Sequence, residues 1–133
     1  MDRKNRCFLR DLMGVFLLAA LLTAGLLASR YMEKQTDALS GTLADSSLLA
    51  LDGAWEEARS AAAGAREQWS RCRTYCAVFG DHRPMEEIEA LFSELTVYDS
   101  VGDREEFARI CSILSRRLAL FGKGHSLTWE NLF

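Results

Sequence analysis

The chain has 133 residues and a formal net charge of −3, with 16 lysines and arginines against 19 aspartates and glutamates. Beyond the N-terminus the basic residues do not cluster, so the sequence lacks the positive surface on which nucleic-acid binding depends. A single proline and abundant alanine, leucine, glutamate and arginine favour helices over a sheet. We therefore expect an all-α protein that binds no nucleic acid.

The first element is an uncharged apolar segment at residues 12–29. Its eighteen residues would extend roughly 27 Å as a helix, which is enough to cross the hydrocarbon core of a bilayer. A cleavable signal peptide is the alternative, but its apolar region is normally about 7–15 residues long and ends in small residues. Here the end of the apolar segment contains Leu27, where a cleavage site would need a small residue. We therefore predict an uncleaved transmembrane helix over residues 12–29.

Basic residues are unevenly distributed around this segment. Four basic residues precede it: Arg3, Lys4, Arg6 and Arg10. Only Arg30 and Lys34 follow it closely. Positive charge is retained on the cytoplasmic side of membrane proteins. The sequence thus predicts an integral protein of the plasma membrane with a cytoplasmic basic segment at 1–11 and an extracytoplasmic helical domain at 30–133.

A seven-residue repeat follows the membrane segment. Apolar residues recur at both positions of an a/d pattern, the signature of a long coiled-coil-like helix packed along one seam. The two series are Leu48, Trp55, Ala62, Trp69 and Cys76, and Leu51, Ala58, Ala65, Cys72 and Phe79. We predict one long helix over residues 31–79 that continues the membrane helix.

Two shorter amphipathic helices are predicted beyond a turn at residues 79–84, at 84–100 and 103–121. Asp103 followed by Glu106 resembles a capping box at the start of the later helix, and Gly122 and Gly124 would end it. An apolar tail then runs to Phe133 and is expected to pack on the bundle, since exposure of its large side chains would be costly in water. The resulting expectation is a small three-helix bundle in which the two shorter helices are antiparallel.

Charges flank the predicted seam. Arg66 and Arg73 lie seven residues apart on one side of the long helix, and the next helix is acidic. In an antiparallel hairpin the later arginine meets the earlier glutamate. We predict that Arg73 lies near Glu87 and Arg66 near Glu94, each pair contributing only ~0–1 kcal/mol.

The predicted lengths do not match. A continuous helix from Leu48 to Phe79 would be roughly 48 Å long, whereas helices of 17 and 19 residues reach only about 25–28 Å. Leu48, Leu51 and Trp55 would then form an uncovered seam that meets the tail, a second copy or another protein. A break near Gly41 or Gly53, which would let the helix fold back on itself, is the alternative.

The cysteines leave three interpretations open. Cys72 and Cys76 lie four residues apart on one helix face, and either could form a disulfide with Cys111 outside the cytoplasm. The simplest interpretation is that they are small buried apolar residues. A zinc site with His82 or His125 is the third, although nothing in the spacing fixes the remaining ligands. We expect no metal site.

Several short motifs together resemble a bacterial family of short membrane proteins catalogued as domain of unknown function 4363. They include the tryptophans at positions 55 and 69 of the long helix, a histidine and acidic helix start (His82, Glu86, Glu87, Ile88), a Gly102-Asp103 turn and the ending Asn131, Leu132, Phe133. The resemblance implies a small helical envelope protein, chiefly of Gram-positive and often spore-forming bacteria. It carries over no catalytic residue.

No nucleophile with a base, catalytic carboxylate pair or phosphate-binding loop is recognisable in the sequence. We therefore expect no enzymatic activity, no catalytic or cofactor-binding residue and no cofactor. The favoured function is a structural or adaptor protein that acts through helix–helix contacts, as a homo-oligomer or with another envelope membrane protein. The alternative is an extracytoplasmic sensory or ligand-binding module that signals through a partner.

Overall fold

The computed structural model describes residues 3–79 and 82–130, with the side chains at 78–79 and 125–130 excepted. This part of the chain contains four helices and no strand: α1 (Arg3–Leu51), α2 (Trp55–Phe79), α3 (His82–Val101) and α4 (Arg104–Glu130). The all-α prediction is confirmed for these residues, and so is a long apolar first helix. The predicted three-helix count is wrong, because the long helix is divided in two.

The division lies at Gly53. This residue adopts a φ of 90°, which is strained for any residue with a Cβ atom. The turn is closed by the amide of Asp52 donating to the Leu48 carbonyl and the amide of Ala54 donating to the Leu49 carbonyl, both at 2.9 Å. α1 continues through the other suspected position, Gly41. The predicted helix over 31–79 is therefore two helices, and the second folds back on the first.

The four helices alternate in direction around one core. α1 packs against α2 and α4, and α3 packs mainly against α4, as in an up-down-up-down bundle. We call the end of the bundle near residues 30–36 the proximal end, since it lies next to the apolar segment, and the end formed by the turns at 52–54 and 102–103 the distal end. The heptad positions of α2 face the core: Ala58, Ala62, Ala65, Trp69, Cys72 and Cys76 are all buried.

Buried serines of α1 bind the backbones of its neighbours. Ser46 Oγ donates to the Ala58 carbonyl at 2.7 Å, and Ser47 Oγ donates to the Ala108 carbonyl at 2.8 Å. Such contacts require helix axes to lie close together, which the small alanine side chains permit. They also satisfy hydroxyls whose burial without a partner would be unfavourable.

The N-terminal half of α1 stands outside the bundle. Most of its apolar side chains are exposed, with Phe16 75% and Val15 67% accessible. Among the described residues, α1 is the one helix long and apolar enough to cross a membrane. The same helix therefore supplies both an apolar rod and one side of the bundle.

The last two helices differ from their predicted bounds. Asp103 caps α4 as predicted, its Oδ1 accepting the Glu106 amide at 3.2 Å. The predicted end of that helix at residue 121 is wrong, since α4 continues through Gly122 and Gly124 to Glu130. Gly122 faces α1, where a Cβ atom would lie 2.2 Å from Thr36 Oγ1, so the glycine allows a close helix crossing rather than a helix end. The centre of the predicted turn (residues 80–81) and the last three residues lie outside the described part of the chain.

Candidate functional site

The predicted partner-binding seam is divided by the turn at Gly53. Leu48 and Leu51 are 60% and 62% exposed at the end of α1, whereas Trp55 begins α2 and is half-buried. The inward face of α1 is instead formed by Leu39, Leu43 and Ala50, which are all buried. Because α2 folds back beside α1, the length mismatch that motivated the seam does not exist. What remains at the distal end is an exposed pair of leucines, Leu48 and Leu51.

Trp55 is held by residues of its own chain. Its ring meets Phe107 edge-to-face with centroids 4.9 Å apart. The guanidinium groups of Arg59 and Arg104 lie 5.8 and 5.7 Å from the same ring, within cation–π range. Trp55 is therefore part of the joint between α2 and α4, whereas the leucine pair stays exposed, as does Val101 at the end of α3.

Carboxylates are also exposed at the distal end, where the leucine pair lies. α2 and α4 both begin there, and acidic side chains favourably oppose the positive N-terminal ends of helices. The exposed carboxylates on the turns and helix ends are those of Asp45, Asp52, Glu56, Glu57, Asp103 and Glu105. Two arginines lie at the same end: Arg59 and Arg104 both approach the Trp55 ring, and Arg59 also pairs with Glu56 at 3.3 Å. The distal end thus combines a small apolar surface with an acidic rim.

The arginine flank contacts α3, but not through the predicted pairs. Arg73 Nη1 lies 3.3 Å from Glu89 Oε1, and Arg66 hydrogen-bonds to Thr96. Glu87 instead pairs with Arg117 of α4 at 3.2 Å. The predicted Arg73–Glu87 pair is therefore wrong. Glu87 lies on the face of α3 that meets α4, whereas Glu89, two residues later, lies on the face that meets α2.

A third arginine of the same flank makes the closest ion pair with α3. Arg59 Nε donates to Asp99 Oδ1, and this hydrogen bond raises the pKa of Arg59. The antiparallel arrangement of α2 and α3 thus brings successive flank arginines to Asp99, Thr96 and Glu89. These exposed contacts follow from the rotation of α3 and add little to stability.

Three sulfur atoms meet at the proximal end. The Cys72 Sγ and Cys76 Sγ atoms lie 3.9 Å apart, and Met32 Sδ of α1 lies 3.9 Å from the first and 4.0 Å from the second. We call this group the sulfur triangle. All three side chains are at most 7% exposed. The hydrogen bond between the two thiols lowers the pKa of Cys72 and raises that of Cys76.

The other cysteines stand apart from this group. Cys111 is fully buried in α4 with its Sγ 3.7 Å from Ser46 Oγ, and burial raises its pKa to about 11. Cys7 is exposed on α1, and all four cysteines are free thiols. His82 is exposed at the start of α3, and the side chain of His125 lies outside the described residues. Within the described part of the chain, no three residues of the types His, Cys, Asp and Glu form a metal-binding group.

An open cavity adjoins the sulfur triangle. It has a volume of about 350 Å³ and is lined by residues of α1 and α2: Tyr31, Gln35, Gly64, Glu67, Gln68, Arg71, Cys72 and Tyr75. Gln68 donates to Gln35 at 2.8 Å across it.

The sequence analysis did not identify Met32 as part of a site. The residues that follow it at helical spacing are Thr36, Leu39 and Leu43, and this shared helix face could have placed Met32 opposite α2.

Comparison with known proteins yields one family. The family described as Domain of unknown function (DUF4363) matches residues 26–132, which include the last four residues of the apolar segment and the whole bundle. No curated protein and no solved structure matches the chain. The match begins within the last residues of the apolar segment, so it bears on the bundle rather than on that segment.

Proposed function

The chain belongs to the DUF4363 family, and we propose that it is a single-pass plasma-membrane protein that serves as a structural or adaptor component of the bacterial cell envelope. In this proposal residues 12–29 cross the membrane, residues 1–11 stay in the cytoplasm and the bundle lies outside. Its role is to bind another protein, and no catalytic step is part of it.

The membrane placement is supported by the exposure and charge of α1. A helix that presents Leu17, Leu21 and Leu27 to solvent at 61–63% exposure would be unfavourable in water. The same surface is suited to lipid, which is as apolar as these side chains. The basic residues before the segment support the orientation, since they are retained on the cytoplasmic side.

The adaptor role is supported by the position of the leucine pair. Residues 30–51 of α1 are helical without interruption, so they would carry Leu48 and Leu51 roughly 28 and 33 Å beyond the apolar segment. Neighbouring residues on the same turns, Ser47 and Ala50, are buried in the bundle. The single observation that carries the proposal is this exposed apolar pair, held at a fixed height on a rigid helix.

The acidic rim indicates which kind of partner the pair would bind. Two copies meeting through their distal ends would bring like charges together, which is unfavourable. A different protein that offers an apolar contact with basic neighbours would be complementary. We therefore propose a heterologous partner with a basic surface rather than a second copy.

Site-specific photocrosslinking in the native membrane tests this proposal. A photoreactive phenylalanine derivative at Leu51 should capture one defined protein, which mass spectrometry identifies. The matched control carries the same group at Leu120, which is 65% exposed on α4 but lies away from the distal turns. The product captured from Leu51 should be absent when the photoreactive group is at Leu120.

A second variant tests the charge argument. Replacing Glu56 and Glu57 with glutamine keeps their size and removes their charge, and it should reduce the Leu51 crosslink. A crosslink between two copies at Leu51 would refute the heterologous partner. Equal crosslinking from Leu51 and Leu120, or none from either, would refute the distal docking surface.

The cavity between α1 and α2 favours a second candidate, an extracytoplasmic ligand-binding module. Its lining combines two tyrosines with glutamine and charged side chains, a mixture found where small polar ligands bind. A thermal-shift screen with small metabolites tests it, because a ligand that binds the folded state raises the apparent stability. A shift that disappears when Gln68 is replaced with leucine would favour this candidate over the adaptor.

A further inference from the structure

We infer that Met32, Cys72 and Cys76 form a binding site for Cu(I) at the proximal end of the bundle. The inference rests on the sulfur triangle and stands independently of the proposed function. Met32 lies on α1 and the two cysteines lie on α2, and Met32 and Cys72 are forty residues apart in the chain. The three side chains converge in a buried position.

The dimensions of the triangle fit a three-coordinate metal ion. Its edges are 3.9, 3.9 and 4.0 Å, so it is close to equilateral. The centre of such a triangle lies about 2.3 Å from each corner, which equals the bond length between a sulfur ligand and a d¹⁰ metal ion. An ion placed in the plane of the three sulfur atoms would therefore need no movement of α1 or α2.

The ligand set selects the ion. Soft thiolate and thioether ligands favour Cu(I), whereas Zn²⁺ takes thiolate, imidazole and carboxylate ligands and almost always four of them in structural sites. A thioether is one of the three ligands here, and the described residues supply no third His, Cys, Asp or Glu to complete a zinc site. The chemistry of the triangle is thus that of a trigonal Cu(I) site.

The structure also offers a route for the ion. Cys72 lines the open cavity between α1 and α2, while Cys76 lies one helical turn further along α2 and is 1% exposed. An ion entering through the cavity would meet Cys72 first. Binding replaces the S–H bonds of the two thiols with S–Cu bonds and releases their protons to solvent, with no change in the oxidation state of copper or sulfur.

Competitive titration of the full chain in detergent tests the site. The reduced protein is titrated anaerobically with Cu(I) against bicinchoninate, in a Cys7→Ser background that removes the exposed thiol. We expect one ion per chain, held against the indicator. Copper X-ray absorption should then fit three sulfur neighbours at about 2.3 Å and no nitrogen neighbour.

Three variants assign the ligands. The Cys72→Ser/Cys76→Ser double variant should lose the bound ion. Met32→Leu keeps an apolar side chain of similar volume but removes the thioether. Loss of a residue that only orients a metal ligand weakens binding roughly 10–100-fold, and we expect a larger loss here, because Met32 is itself a ligand. The matched controls are Met85→Leu, a buried methionine of α3, and Cys111→Ser, a buried thiol beside Ser46; both should bind Cu(I) like the parent.

Each contrary outcome overturns the inference. Failure of the parent protein to compete with bicinchoninate would mean that the sulfur atoms only pack together. Unchanged binding in the double variant would place the ion elsewhere, and equal effects of Met32→Leu and Met85→Leu would exclude the thioether. Displacement of Cu(I) by an equimolar amount of Zn²⁺ would show that the site is not selective for a soft ion.

Discussion

A close approach of α1 to α4 depends on Gly122, and replacing this residue with alanine tests the packing of the bundle. A Cβ atom at this position would lie 2.2 Å from Thr36 Oγ1 and 3.3 Å from Thr36 Cβ. Thr36 is fully buried, and its hydroxyl donates to the carbonyls of Met32 and Glu33 at 3.0 Å. The hydroxyl therefore cannot move aside without losing a buried hydrogen bond.

The expected magnitude combines two opposing effects. Alanine is favoured over glycine in a helix by about 1 kcal/mol, which would stabilise the variant. Overpacking a buried contact costs about 1–3 kcal/mol, and displacement of the Thr36 hydroxyl adds about 1 kcal/mol more. We therefore expect Gly122→Ala to lower the free energy of unfolding by about 1–3 kcal/mol.

A matched control is available in α2. Gly64 also lies within a helix, and a Cβ atom there would meet nothing within 4 Å. Gly64→Ala should raise the free energy of unfolding by about 0.5–1 kcal/mol. The opposite signs of two identical substitutions separate the packing effect from helix propensity.

Urea unfolding of the full chain in detergent measures both variants. Tryptophan fluorescence is a suitable probe, because the buried Trp69 ring packs edge-to-face on Phe121 with centroids 5.8 Å apart, next to Gly122. Adding Thr36→Ala to Gly122→Ala removes the atom that would clash and should recover part of the loss. Equal stabilisation by Gly122→Ala and Gly64→Ala would refute the close crossing of α1 and α4.

Three further predictions follow from the turn, the buried thiol and the buried indole. Gly53→Ala should lower stability by about 1–2 kcal/mol, because a φ of 90° disfavours a Cβ atom, and urea unfolding measures this loss. Titration of Cys111 should lower the free energy of unfolding by roughly 2–3 kcal/mol as the pH rises from about 9 to about 11. The unfolded chain loses the Cys111 proton first, whereas burial keeps it bound in the folded state up to its raised pKa of about 11. Trp69→Phe should cost about 1 kcal/mol, measured by circular dichroism, because the indole N–H donates to Glu89 Oε1 at 2.9 Å.

Each of these predictions has its own control. Asparagine tolerates a positive φ better than alanine, so Gly53→Asn should lose less stability than Gly53→Ala. The stability of Cys111→Ser should vary less between pH 9 and pH 11 than that of the parent, since serine does not titrate there; an unchanged slope would contradict the assignment. A cost of Trp69→Phe that persists unchanged in a Glu89→Ala background would show that the hydrogen bond is not its cause.

The helical surfaces of α2 and α4 could be predicted from local spacing. Residues three and four apart share a helix face, so the repeat from Ala58 to Cys76 identified buried positions without knowledge of their partners. The Asp103 cap was equally predictable, because it joins residues three positions apart. Local rules failed at Gly122, where a glycine that would suit a helix end serves the contact with Thr36.

The arginine pairs failed for a different reason. Sequence spacing placed Arg73 and Glu87 on facing helices but could not set the rotation of α3 about its own axis. That rotation is decided by the burial of Ile88, Phe92 and Leu95, whose apolar contacts outweigh exposed ion pairs. Glu89, rather than Glu87, consequently faces α2.

The sequence by itself determined the all-α class, the apolar first helix, the seam of α2 and the family, because each depends on residue types at short spacing. Only the tertiary structure decided that the chain turns back at Gly53, that Leu48 and Leu51 stay exposed, and that Met32 meets Cys72 and Cys76. A glycine costs a continuous helix only about 1 kcal/mol. Whether the helix breaks there depends instead on the apolar area that α2 buries against α1, which is a sum over contacts between residues far apart in the chain.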